Sequence, residues 1–150
     1  MDQIQGLLKL FLQNYLSEKL TYKTASKSVP SKSIIEYELP TLFDIQPGIP
    51  NNYFVKGSIG EGNMTAHPWI CFLDPEISQK SVRIGYYVSL LTRIDMQGFY
   101  LSLNQGWTQY HNTYGTRQGK VEILKNSIKA RELLRSAPDF DTGILDLGAT

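Results

Sequence analysis

Three things are scarce in this chain, and each scarcity removes a class of function. There is one cysteine, Cys71, so no intramolecular disulfide and no multi-thiolate zinc site can be built. A lone thiol fits a reducing compartment. There are two histidines, His67 and His111, too few for a His-rich metal centre. Charged residues make up only 19%, below the roughly 25% of an ordinary domain, and 15 Lys+Arg against 14 Asp+Glu leave a net charge of +1. Such a chain is neither a polyelectrolyte nor a disordered tail. Its near-neutral total also argues at first against nucleic acid, whose binders usually carry a basic excess. No run of 18 apolar residues occurs, so no membrane span is expected. Met1 to Gln5 lacks the basic start and apolar block of a secretory signal. The expectation is a cytoplasmic protein that makes no membrane contact.

Catalytic patterns are missing too. The glycine-rich stretch Gly57 to Gly62 lacks the Lys and hydroxyl of a P-loop, and it joins two expected strands, whereas a phosphate cradle precedes a helix. Asp74, Glu76 and Asp95 read as turn and cap residues, not as a nuclease carboxylate cluster. Cys71 lies inside an apolar run, where an inert buried thiol is the default. A weaker enzyme reading would use His67, Glu61 or Cys71. The chain is otherwise expected to be a binding domain with no catalytic residue, no metal and no cofactor.

What is present is enough for one core: 150 residues, 41% hydrophobic. Ile4, Leu7, Leu8, Phe11, Leu12 and Tyr15 recur at helical spacing, with Asp2 as a candidate N-cap. Ile35, Tyr37 and Leu39 alternate with Glu36 and Glu38, which predicts a half-exposed strand over 34–39. Pro40 to Asn52 reads as a loop. Strands are expected over Tyr53–Ile59, Trp69–Leu73, Ile84–Leu91 and Gly98–Leu103, the last two joined by a hairpin turn at Asp95–Gly98. Gln105 to Gly119, rich in Gly, Asn, Thr and Tyr, reads as loop. Lys120 to Arg135 predicts a second long helix with Val121, Leu124, Ile128 and Leu134 on its core side. The sum is a single α+β domain: a mixed or mostly antiparallel sheet flanked by an N-terminal and a C-terminal helix. The domain is expected to span 1–135, with 136–150 as an exit linker.

The most informative stretch runs from Val55 to Trp69: a strand, a tight loop with two glycines, and a strand that opens on a tryptophan. Glycine permits positive φ and close backbone approach. Asn63 and Thr65 add short hydrogen-bonding side chains. Trp69 can close a pocket or be core.

The pattern Gly60-x-Gly62-Asn63-x-Thr65-x-x-Pro68-Trp69, preceded by Val55-Lys56-x-Ser58, resembles the McrB-like (MrcB-like) N-terminal domain, the specificity domain of restriction systems that cut DNA containing modified cytosine. Asp74-Pro75-x-Ile77, Gly85 to Val88 and Tyr100 to Gly106 carry the resemblance further, over roughly 1 to 135. It implies a double-stranded DNA partner containing a modified base such as 5-methylcytosine. One cytosine is turned out of the duplex into a pocket, at a cost of a few kcal/mol that stacking and edge hydrogen bonds must offset. It also implies a downstream ATPase or nuclease domain or subunit in an anti-phage defence protein. By resemblance, Trp69 stacks on the flipped base, Tyr86 is a second pocket aromatic, and Leu90 lies near the C5 substituent. Period 2 sets Tyr86, Val88 and Leu90 on one face. Between the loop glycines an aromatic is replaced by Glu61, which cannot stack in the vacated gap. Met64 is the substitute candidate for that plug. Glu61 could instead accept from an exocyclic amino group.

Ser58, Gly60, Glu61, Gly62, Asn63, Met64 and Thr65 are thus the expected DNA loop, and Lys23, Lys27, Lys56, Lys120 and Lys125 the expected phosphate contacts. The charge layout agrees. Residues 19–32 hold four Lys and no acid, and 116–135 hold six basic residues against two acidic. Three Asp in 136–150 cancel much of this. The competing reading is a pocketed domain for a small ligand or peptide, with Trp69, Tyr86 and Leu90 lining the cavity.

Overall fold

The computed structural model describes residues 2–134; the expected exit linker, 136–150, lies outside the described residues. The order of elements is α1 (Asp2–Tyr22), α2 (Pro30–Ser33), a π-helical turn (Ile34–Glu38), α3 (Leu39–Asp44), β1 (Phe54–Ser58), β2 (Trp69–Leu73), α4 (Pro75–Ser78), β3 (Tyr86–Thr92), β4 (Phe99–Gln105) and α5 (Trp107–Leu134). The strands form one antiparallel meander, β1-β2-β3-β4. This is the expected α+β domain. The expected hairpin turn at Asp95–Gly98 joins β3 to β4.

Four readings are corrected. Residues 34–39 are helical, not a strand. Period 2 and a helical stripe cannot be told apart over six residues, and the tertiary fit decided. Ile34, Ile35 and Leu39 are buried, whereas Tyr37 is exposed. Pro40 has no N–H to give to the ladder, and the Leu39 N–H reaches back to the Ile34 carbonyl, which makes the π turn. The helix then runs on through α3, inside what reads as loop. Most of 105–119 is likewise helix, with the chain turning at Gly115 (φ 72°, ψ 178°). Finally, Val121, Leu124 and Ile128 on α5 are exposed, not core. The helix attaches instead by polar contacts. Gln105 Nε2 donates to the Ile123 carbonyl (3.2 Å) and the Tyr86 hydroxyl to the Asn126 carbonyl (3.4 Å).

The core lies between the N-terminal helices and one face of the sheet. Phe11 and Tyr15 of α1 meet Val29, Ile34, Ile35 and Leu39, the strand residues Val55 and Ile70, and Ile59 and Met64 at the two ends of the glycine loop. Phe72, Leu90 and Phe99 pack against this cluster. Gly57 sits where β1 crosses the π turn, and a Cβ there would overlap the Ile35 carbonyl. The helical hairpin and the sheet therefore touch backbone to backbone.

Candidate functional site

The glycine loop between β1 and β2 is held at both ends. The Ile59 N–H donates to Glu36 Oε1 (3.1 Å), and Lys32 pairs with the same carboxylate at 2.9 Å. Thr65 N–H closes on the Ile59 carbonyl (2.8 Å), and the Tyr15 hydroxyl donates to the Thr65 carbonyl (2.7 Å). Burial pushes the Tyr15 phenol well above its ordinary range, so it stays protonated and remains a donor. Gly60 (φ 117°) lets the backbone double back; a Cβ would collide with the Asn63 carbonyl. The Gly60 N–H is taken by Ser58 Oγ (3.0 Å). The segment after α1 braces the other side: Ala25 N–H bonds the Gly62 carbonyl (2.8 Å) and Met64 N–H the Lys23 carbonyl (3.2 Å).

The loop's side chains divide accordingly. Glu61 and Asn63 are exposed. Thr65 is half-buried and its hydroxyl accepts the His67 N–H (3.2 Å), a local turn bond. Met64 is 5% exposed and belongs to the core. It cannot also fill a gap in a base stack without emptying its own site, which removes it as the plug.

Antiparallel pairing sets which side chains share a face. Trp69 pairs with Leu91 and Ser58 with Trp69, so Lys56, Ser58, Trp69, Tyr87 and Leu91 look outward from the core. Ile70 pairs with Leu90 and Phe72 with Val88, so Tyr86, Val88 and Leu90 look inward. Tyr86, Val88 and Leu90 do share one face, but it is the face opposite Trp69. The single shared wall of Trp69, Tyr86 and Leu90 is corrected: a one-residue offset exchanges the faces. Their immediate neighbours, Tyr87 and Leu91, take the Trp69 side. Burial pushes the Tyr87 phenol up to about 12.

Trp69 is half-buried and lines an open pocket of about 280 Å³. Its other walls are Lys56, Ser58 and Glu61 from the β1 side, and Lys80, Ser81, Val82 and Arg83 from the segment between α4 and β3. That segment is shaped by local bonds. Asp74 caps α4 by accepting the Glu76 N–H (2.9 Å). Gln79 and Lys80 both take left-handed backbone (φ 51° and 59°), which reverses the chain over the sheet. Lys80 Nζ stands 6.0 Å from the Phe54 ring centroid. Arg83 is pinned from behind, its carbonyl accepting the Gln109 N–H (3.3 Å), while Gly106 packs so closely that a Cβ would strike the Arg83 carbonyl group.

Three cations therefore converge around one tryptophan, and none is in an ion pair among the described residues. Glu61 is the sole carboxylate on the wall. Sequence reasoning missed Lys80 and Arg83 because nothing local ties them to Trp69, 11 and 14 residues earlier in the chain. The segment's own Lys-Ser-Val-Arg text after a capped turn was the available clue. Lys56 lies in the pocket, and Lys23 beside the glycine loop; Lys27 is exposed on the bracing segment. Lys120 and Lys125 are exposed on α5, whose carbonyl contacts run to the inward face, and Lys125 pairs with Glu122 (2.9 Å). Cys71 is buried, with its thiol pushed up to about 12 by burial. Among the described residues no three His, Cys, Asp or Glu side chains cluster as a metal site, and no helix is long and apolar enough to cross a membrane.

The profile of the MrcB-like, N-terminal domain family matches residues 11–150. No curated protein and no solved structure matches the chain. With the match extending over nearly its whole length, the chain belongs to the MrcB-like N-terminal domain family.

Proposed function

We propose that this MrcB-like domain binds double-stranded DNA and reads a modified cytosine turned out of the helix onto Trp69. The observation that carries the reading is the pocket itself: an accessible indole beside a rigid glycine loop, ringed by Lys56, Lys80 and Arg83. A flipped nucleotide brings a π face and a flanking phosphate. The indole supplies the stacking partner, worth about 1–3 kcal/mol per base, and the cations supply the phosphate contacts. Glu61, on the same wall, accepts from the exocyclic amino group of cytosine on this reading. The braced loop matters because a base must be held out against restacking, and a loop already ordered loses little entropy on binding. Lys23 and Lys27, on the segment that braces the loop, extend the basic track.

On this reading the domain is a specificity module without chemistry of its own, and cutting belongs to a motor ATPase or nuclease domain or subunit. It acts in the cytoplasm, where invading DNA is met. The test is fluorescence anisotropy with duplexes differing at one cytosine, with 2-aminopurine beside it. Tighter binding to the substituted duplex, with a rise in 2-aminopurine emission, is expected. Equal affinities would remove the base reading; unchanged emission with retained preference would remove flipping. Trp69→Ala is expected to lose the preference and keep most non-specific, salt-sensitive binding.

A further inference from the structure

The last helix keeps one side uncovered among the described residues. α5 is held to the sheet by the Ile123 and Asn126 carbonyls, which accept from Gln105 and Tyr86, and by Asn126 Nδ2, which donates to the Tyr110 hydroxyl (2.7 Å). Val121, Leu124 and Ile128 recur at helical spacing on another side and are 43%, 58% and 47% exposed. An apolar seam of that kind marks a surface that something covers. Its flanks are basic. The 3.6-residue period sets Lys125 and Lys129 along one edge of the seam, and Lys120 and Arg131 along the other. All four are exposed, and only Lys125 is in an ion pair among the described residues, with Glu122. The seam therefore fits an apolar segment that carries carboxylates.

The chain carries such a segment a few residues beyond the helix. Residues 139–147 read Asp-Phe-Asp-Thr-Gly-Ile-Leu-Asp-Leu, with Phe140, Ile144, Leu145 and Leu147 set among Asp139, Asp141 and Asp146 and no base. α5 ends at Leu134. From there back to Val121 is about 20 Å along the helix at 1.5 Å per residue. Residues 135–147 can span about 40 Å, so the segment reaches the whole seam. A tether this short holds it at an effective concentration on the order of millimolar. The family match continues to residue 150, past the end of the helix, which supports counting the segment with the domain.

We propose that residues 139–147 dock on the seam of Val121, Leu124 and Ile128, with their carboxylates meeting Lys120, Lys125, Lys129 and Arg131. Apolar burial supplies most of the affinity. The charges select this segment over others and set its direction along the helix.

The experiment is amide hydrogen exchange on the full chain, read by mass spectrometry. Amides of 139–147 are expected to exchange about tenfold slower than in a synthetic peptide of the same sequence, as docked backbone does. Leu124→Asp, at an exposed position, is expected to return them to the peptide's rate while β2 and β3 keep theirs, and Ile128→Asp to do the same. Asp139→Asn, Asp141→Asn and Asp146→Asn together, or added salt, are expected to speed the exchange severalfold. Exchange at the peptide's rate in the unaltered chain overturns the proposal and leaves the seam to a partner outside this chain. Protection that survives both aspartate variants also overturns it, since the segment then sits elsewhere. So does protection that appears only as chain concentration rises, which gives the seam to a second copy. Protection indifferent to the three asparagines overturns the charge pairing that selects this segment.

Discussion

The Tyr15 hydroxyl, on the first helix, donates to the carbonyl of Thr65 at the far end of the glycine loop, 2.7 Å away. It also approaches the Ile59 carbonyl at the near end (3.4 Å). One side chain thus spans both feet of the loop that stands next to Trp69. Tyr15→Phe keeps the ring, including its packing on Phe11 at 5.0 Å between centroids, and removes only the donor. We expect a loss of about 1–3 kcal/mol in stability, the cost of leaving a buried acceptor unpaired. Amide exchange should rise at residues 60–65 and not in β3 or β4. Exchange rising uniformly would mean that the hydroxyl supports the fold as a whole and not the loop.

The glycines are unequal. At Gly57 a Cβ overlaps the Ile35 carbonyl, and at Gly60 it overlaps the Asn63 carbonyl on top of a φ of 117°. At Gly62 nothing lies within 4 Å, and only its φ of 79° penalises a side chain. Gly57→Ala is expected to prevent folding and Gly60→Ala to disrupt the loop. Gly62→Ala should cost about 1–2 kcal/mol, the ordinary left-handed penalty. Thermal denaturation of the three variants checks the order.

Cations in the pocket and on the distal helix should differ in their effect on DNA. Lys80→Ala and Arg83→Ala are each expected to weaken binding to all sequences and to reduce the slope of log K against log salt by about 1. Lys125→Ala, on α5 and already paired with Glu122, should leave the slope unchanged. A slope that responds to Lys125 and not to Lys80 would move the interface to the other face.

Cys71 gives a pH dependence with a definite sign. Its thiol ionises near its ordinary value of 9.0 when unfolded and at about 12 in the fold, because burial disfavours the thiolate. The folded state holds its proton longer. The stabilising difference is therefore complete below pH 9 and is lost as pH rises from about 9 to about 12. The decline is about 1.4 kcal/mol per pH unit for one such group. Buried Tyr15 and Tyr87 add to the decline above pH 10, being raised in the same direction. Cys71→Ala is expected to flatten the fall between pH 9 and 10 in urea melts taken across that range. The same burial predicts slow alkylation of Cys71 by iodoacetamide in the native protein.

Glu36 has two partners with different consequences: the Lys32 ammonium and the Ile59 N–H. Glu36→Gln keeps an acceptor for Ile59 and removes the ion pair; Glu36→Ala removes both. The alanine variant is expected to lose about 1–3 kcal/mol more, from the orphaned N–H. Lys32→Ala should cost less than 1 kcal/mol, as a partly exposed pair does. Equal effects of Glu36→Gln and Glu36→Ala would assign the whole contribution to the ion pair.

By itself the sequence determined the α+β class, the four strands, the hairpin turn at Asp95–Gly98 and the glycine loop leading into Trp69. These are local: turn residues and apolar runs state them within ten residues or so. It also determined the family, through motifs that a linear pattern can carry. Only the tertiary structure decided the rest. The alternation over 34–39 satisfied two periods, and the contact of Ile34, Ile35 and Leu39 with the sheet chose the helix. Which side of β3 meets Trp69 depended on the pairing of Trp69 with Leu91, set across a long connection through α4, and no tight turn fixes such a register. That single offset moved Tyr86 and Leu90 inward and brought Tyr87 and Leu91 to the Trp69 face. Lys80 and Arg83 reached Trp69 through two left-handed residues and a backbone contact at Gly106. Hydrophobic patterning constrains the burial of apolar side chains, but it leaves free the placement of polar ones, and the candidate site is made almost entirely of those.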